Sequence, residues 1–163
     1  MPHGFDFYRL FCSTPGTLDE EQDTFLNVVG EVNEQYAIGT KRLFVPVVCR
    51  GAANSGGYNG ALRENVRDAD FFVQILGHSW GAESAEFEDL FDYACECRDE
   101  AGIRMRHVAL FLKDLPPAKL KPTAAAFREK HTGAAETFRD SGELSVKLSA
   151  LLKDWLGGLP AAP

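Results

Sequence analysis

Two hydrophobic patterns alternate along this chain. Nearly unbroken apolar runs stand at Tyr8–Cys12, Leu43–Cys49, Phe71–Leu76 and His107–Leu112, with the length and the aromatic and branched content of strands buried on both faces. Between them the apolar residues recur at helical spacing. Leu18, Phe25, Val29, Val32 and Tyr36 predict a long first helix, stopped at Gly39. Thr17-Leu18-Asp19-Glu20 at its start fits a capping box, in which the threonine hydroxyl serves one free amide and the glutamate another. A short helix is expected over Ala61–Ala69. Phe87, Leu90, Phe91 and Ala94 then form the core stripe of a third helix, with Ser84 at its N-cap and Glu86, Glu88 and Asp89 near its positive end. Further helices are expected near Thr123–Lys130 and Glu143–Leu156, the last carrying Leu144, Leu148, Leu151 and Trp155 as core anchors.

Strand and helix alternate as βαβαβαβ, which calls for a parallel sheet with helices on both faces. Such a chain adopts the flavodoxin-like strand order 2-1-3-4. Pro46 lacks the amide that a central ladder needs and moves the second run to an edge. Phe71–Leu76, apolar throughout but for one glutamine, takes a central place. The expected fold is therefore a flavodoxin-like three-layer α/β sandwich with four or five parallel strands. Residues 1–156 read as a single α/β domain and 157–163, Gly/Pro/Ala-rich, as a linker-like tail. In this order the chain changes direction between the first and third strands, and a ligand crevice forms at their carboxyl ends. The loop at Ser13-Thr14 and the stretch from His78 to Glu88 then flank one site.

Composition narrows the function. With 163 residues, 45% of them hydrophobic, the chain can bury a core without staples. A net charge of −7 disfavours direct binding to nucleic acid or to anionic membranes. No apolar stretch reaches the roughly 18 residues of a membrane span. Cys12, Cys49, Cys95 and Cys97 lack zinc-ligand spacing; Cys95 and Cys97 would point about 200° apart on a helix. They read as reduced thiols in a cytoplasmic protein. Glycine-rich dinucleotide and phosphate loops and His-Glu-x-x-His are missing.

Glu88 and Asp92 lie one turn apart on one helix face, where like charges weaken the helix. Glu88 reads either as a pocket carboxylate at the switch point or as a solvated carboxylate stabilised by the helix dipole, and Asp92 either as lining the same pocket or as surface charge. Ser13 and Thr14 either meet a ligand or satisfy turn amides. Trp80 either stacks on a ligand or closes the core. Arg50 and Arg63, near the Gly51–Gly60 loop, are candidates for a pyrophosphate.

These residues carry a resemblance. Tyr8-Arg9-Leu10-Phe11-Cys12-Ser13-Thr14, Leu18-x-Glu20-Glu21, Asn65-Val66, Ala69-Asp70 through Gly77, Trp80-Gly81, Phe87-Glu88 and Tyr93-Ala94 together resemble bacterial TIR-like domains over roughly residues 7 to 114. The branch is one often found N-terminal to NTPase modules. The enzymes of that family cleave the nicotinamide–ribose bond of NAD. By resemblance Glu88 is the catalytic glutamate, and Ser13, Thr14 and Trp80 lie in the substrate-binding loops; Asp92 is a substrate-binding candidate from its place on the Glu88 face of the helix, not from the resemblance. No metal or cofactor is implied, NAD being the substrate. The resemblance further implies self-association through this domain, activation by that assembly, a C-terminal NTPase or sensor domain as partner, and a role in bacterial defence or signalling. Two alternatives stay open: a non-catalytic interaction module, and an enzyme similar to nucleoside deoxyribosyltransferases.

Overall fold

The computed structural model describes residues 4–15, 18–50, 58–80 and 84–160; of the side chains at 49, 50, 58–61 and 84–88 nothing is said. Five strands, β1 (Asp6–Thr14), β2 (Arg42–Arg50), β3 (Phe71–Leu76), β4 (His107–Lys113) and β5 (Ala135–Phe138), form one sheet in the order β2-β1-β3-β4-β5. Every neighbouring pair is parallel. The flavodoxin-like three-layer α/β architecture expected from the alternating pattern is thus the one adopted. β3 is the middle strand, and all six of its residues are buried. β2 stands at an edge, where Pro46 faces no ladder partner beyond β1.

Among the described residues five α-helices cover the sheet: α1 (Asp19–Val32), α2 (Tyr58–Arg67), α3 (Ser84–Asp99), α4 (Pro122–His131) and α5 (Ser141–Gly157). Side chains alternate across each strand, so the core divides in two. Leu10, Cys12, Phe71, Val73, Ile75 and Phe111 pack against α1 and α5. Phe11, Phe72, Leu76, Leu110 and Leu112 pack against α2, α3 and α4. Trp155 of α5 stacks on Phe71 with ring centroids 4.9 Å apart and is the core anchor its spacing indicated.

Some local expectations are corrected. The N-cap of α1 is Leu18, with no side-chain cap bond. Thr17 lies outside the described residues, and Glu20 instead accepts a hydrogen bond from the Ser141 hydroxyl of α5 at 2.7 Å. The helical path also continues past Val32 through one π-helical turn, Asn33–Ala37. A wider turn rotates the residues that follow relative to a 3.6-residue stripe. Tyr36 therefore leaves the core, is exposed, and takes the Lys153 ammonium 4.3 Å from its ring centroid. Residues 157–160, expected as the start of a tail, are held in place: Leu159 is buried and its carbonyl accepts from Arg42 Nη1 at 2.9 Å. α3 ends at Asp99, and Gly102 in the connection to β4 has φ +85°, a backbone region open mainly to glycine.

Candidate functional site at the carboxyl ends of β1 and β3

Ser13 stands one residue before the end of β1 and pairs in register with Gln74 of β3. By alternation Ser13 shares the face of Phe11, and Gln74 the face of Phe72 and Leu76. Both side chains therefore turn toward the α2–α3–α4 layer, and both are fully buried. The Gln74 amide donates from Nε2 to the carbonyl of Ser13 at 3.2 Å and to that of Ile75 at 3.4 Å. Its Oε1 has no partner, and neither has the Ser13 hydroxyl. Buried polar atoms are nearly always paired, and leaving one unpaired costs about 1–3 kcal/mol. Two such oxygens lie on adjacent strands at the point where the sheet order reverses.

Thr14 alternates to the other face, where its hydroxyl accepts from Gln22 Nε2 of α1 at 3.2 Å. Next to Gln22, the buried Glu21 receives Lys113 Nζ at 2.7 Å, an ion pair that ties the first turn of α1 to the end of β4. Gly77, just after β3, lets α1 approach this closely: a Cβ there would stand 3.0 Å from Leu18 Cδ2. Arg128 of α4 closes the neighbouring ends, donating from Nη2 to the Lys113 carbonyl at 2.6 Å and from Nη1 to the Gly77 carbonyl at 3.3 Å. Burial of its guanidinium pushes its pKa below the ordinary value, partly offset by nearby Asp114. Beside it, a cleft of about 410 Å³ is lined by His78, Leu115, Lys119 and Lys121. A bond from the Lys121 amide to the His78 carbonyl, 2.9 Å, joins its two walls.

The other expected site residues scatter. Trp80 is 1% exposed and meets Phe127 edge-on, centroids 4.8 Å apart, with its indole N–H unpaired. It closes the core, and neither face of the ring is open for stacking in this conformation. Asp92 turns to the end of α4, its carboxylate 3.6 Å from Lys130 Nζ and 3.4 Å from His131 Nε2. Of the two, the Lys130 ammonium offsets the charge of Asp92. His131 itself packs on Phe127 and Phe91, and burial holds its pKa below the ordinary histidine value against the pull of Asp92. Arg63 lies over the ring of Tyr93, 4.7 Å from its centroid. Glu88 is on α3, the helix that follows β3, but its side chain is outside the described residues, as are the side chain of Arg50 and residues 51–57.

Among the described residues no three His, Cys, Asp or Glu side chains are grouped to hold a metal ion, and no helix is long and apolar enough to cross a membrane. Cys12, Cys95 and Cys97 are free thiols, and Cys12 is raised far above its ordinary pKa by burial. No family model matches this chain, and none of the curated proteins matches it.

Sequence reading missed Gln74, the Glu21–Lys113 pair and the basic cleft. For Gln74 the signal was there: a lone amide inside an otherwise apolar central strand has to find partners. Nothing in the sequence paired Glu21 with a lysine 92 positions away.

Proposed function

We propose that this chain is a TIR-like nucleotide glycohydrolase that cleaves the nicotinamide–ribose bond of NAD, is activated by self-assembly, and acts in bacterial defence or signalling. The observation that carries the reading is the pair of unpartnered, buried oxygens, Ser13 Oγ and Gln74 Oε1, at the carboxyl ends of β1 and β3. Ligands of open parallel sheets bind there, and the next helix in the chain bears Glu88. The cleft beside His78 supplies the ammonium groups of Lys119 and Lys121 for a pyrophosphate in a chain whose net charge is −7.

The chemistry needs little more. The bond between the anomeric ribose carbon and the pyridinium nitrogen breaks with its electron pair going to nitrogen, so nicotinamide leaves neutral. Positive charge grows on the ribose, and the Glu88 carboxylate offsets it or bonds to it. Water then delivers hydroxide to the sugar carbon and one proton is released. In this proposal Ser13 lines the crevice, Thr14 holds the end of β1 to α1 through Gln22, and Asp92 acts only through the end of α4.

A second reading, a non-catalytic interaction module, is favoured by one observation. Phe7 is 63% exposed, and Val45, on the same end of the β1–β2 ladder, is also exposed. An apolar patch on a sheet face is the mark of a contact surface. Incubation with NAD, following nicotinamide release from dilute and from assembled protein, separates the two. Release confined to the assembled state is expected; intact NAD in both states moves the interaction module to the front.

A further inference from the structure

We infer that Gln74 and Ser13 form an acceptor pocket for a planar N–H₂ group of the ligand and determine which nucleotide the site admits. The inference rests on the glycohydrolase reading for the identity of that group, the carboxamide of nicotinamide. The orientation of the Gln74 amide is fixed by its surroundings. Its nitrogen faces two carbonyl oxygens, those of Ser13 and Ile75, and only the donor end of an amide can do so. The oxygen end is thereby turned away from the backbone and committed to accept. Beside it the Ser13 hydroxyl, also unpartnered and fully buried, accepts or donates as the ligand requires.

An unpaired buried acceptor is costly to the fold but selective toward ligands. A ligand amide donates to Gln74 Oε1 and restores the missing bond. A carboxylate in the same place has no proton to give and sets oxygen against oxygen. Sites built to hydrogen-bond one group reject the analogue that lacks it far more strongly than apolar pockets reject a change of size. The pocket should therefore take nicotinamide and exclude nicotinate. The exocyclic amine of adenine offers the same donor chemistry, so the probes must distinguish the two ends of the dinucleotide. Both oxygens are sealed in this conformation, and ligand entry requires the crevice to open.

The test uses the intact chain and three small probes, nicotinamide, nicotinate and adenosine, with binding read by ligand-observed NMR. Turnover of NAD and of its nicotinic acid analogue is measured on assembled protein. Wild type should bind nicotinamide in preference to nicotinate. Gln74→Met, close in shape but without the acceptor, should weaken nicotinamide binding about tenfold or more, the equivalent of one lost hydrogen bond, and should flatten the preference between the two dinucleotides. Its melting temperature should change little, because the unsatisfied oxygen disappears together with the two long hydrogen bonds that Nε2 donates. Ser13→Ala, a smaller change that keeps the strand intact, should weaken binding in the same direction. Gln74-dependent binding of adenosine in place of nicotinamide would keep the acceptor pocket and assign it to the adenine end. Equal binding of nicotinamide and nicotinate by wild type, or no binding of any probe, overturns the inference. So does a melting temperature several degrees lower in both variants with affinities unchanged, which would make the two oxygens hosts of a structural water. NAD cleavage that is indifferent to Gln74 would sink this inference and leave the glycohydrolase standing. Gln74-dependent binding without any cleavage would do the reverse.

Discussion

Trp80 and His131 belong to one aromatic cluster with Phe91 and Phe127, and the way each is held sets what its replacement does. Trp80→Ala opens a large void and should cost about 3–5 kcal/mol in urea unfolding. Trp80→Phe should cost much less, because it keeps an edge-on ring against Phe127 and removes a buried N–H that has no acceptor. In the core role, Trp80→Phe leaves the KM for NAD unchanged. A several-fold rise in KM at unaltered stability would place the indole against the ligand instead. His131 gives a pH signature. Burial disfavours its imidazolium, Lys130 adds to the effect and Asp92 opposes it. In the unfolded chain the ring takes up its proton near the ordinary value of about 6.5, while the fold resists to lower pH. Across that interval the unfolded state holds more protons, so stability falls as the pH falls. His131→Phe removes the effect. The stability of wild type relative to this variant should decline as the pH drops from about 7 to about 5, and a constant difference in urea titrations across that range would refute the assignment.

Of the two edge strands, β2 is the longer, and an edge strand offers unpaired amides and carbonyls to other chains. The fold blunts it twice. Asn33, in the π-helical turn after α1, donates from Nδ2 to the Phe44 carbonyl and accepts from the Phe44 amide, both at 2.9 Å. It acts as a one-residue substitute for a further strand. Pro46, two positions on, faces the same side and has no amide to offer. Asn33→Ala should destabilise the chain by about 1–2 kcal/mol in urea unfolding and increase self-association in sedimentation; unchanged values of both would show the edge to be protected otherwise. How legible each element was follows from how much of it is buried. Phe71–Leu76 could be placed centrally because both of its faces meet core, and Pro46 marked the edge by itself. β5 escaped notice because its residues Ala135-Glu136-Thr137-Phe138 bury only Phe138, leaving no apolar run and no alternation to read. Tyr36 misled for a different reason. A helical stripe assumes 3.6 residues per turn, and the π-helical turn breaks that assumption without any cue in composition.

At the scale of the whole molecule, the sheet order decides where a ligand can sit, and that order was readable from the alternation of strand and helix. The inside of the crevice was less so. Ser13 was legible as a polar residue ending an apolar strand. The pairing of Gln74 with it, the Glu21–Lys113 tie and the gathering of His78, Lys119 and Lys121 depend on segments far apart in the chain, and only the folded register brings them together. Trp80 could be read either way until its packing on Phe127 was known. Function then turns on Glu88. The most direct measurement is nicotinamide release from NAD by wild type and by Glu88→Gln, each assembled to the same degree by light scattering and each shown to unfold cooperatively. The amide has the shape of the carboxylate and suits a helix, yet it cannot offset positive charge on the ribose. The account predicts release by wild type and a loss on the order of a hundredfold or more in the variant. Equal turnover by the two proteins, or assembled wild type that leaves NAD intact, would contradict it.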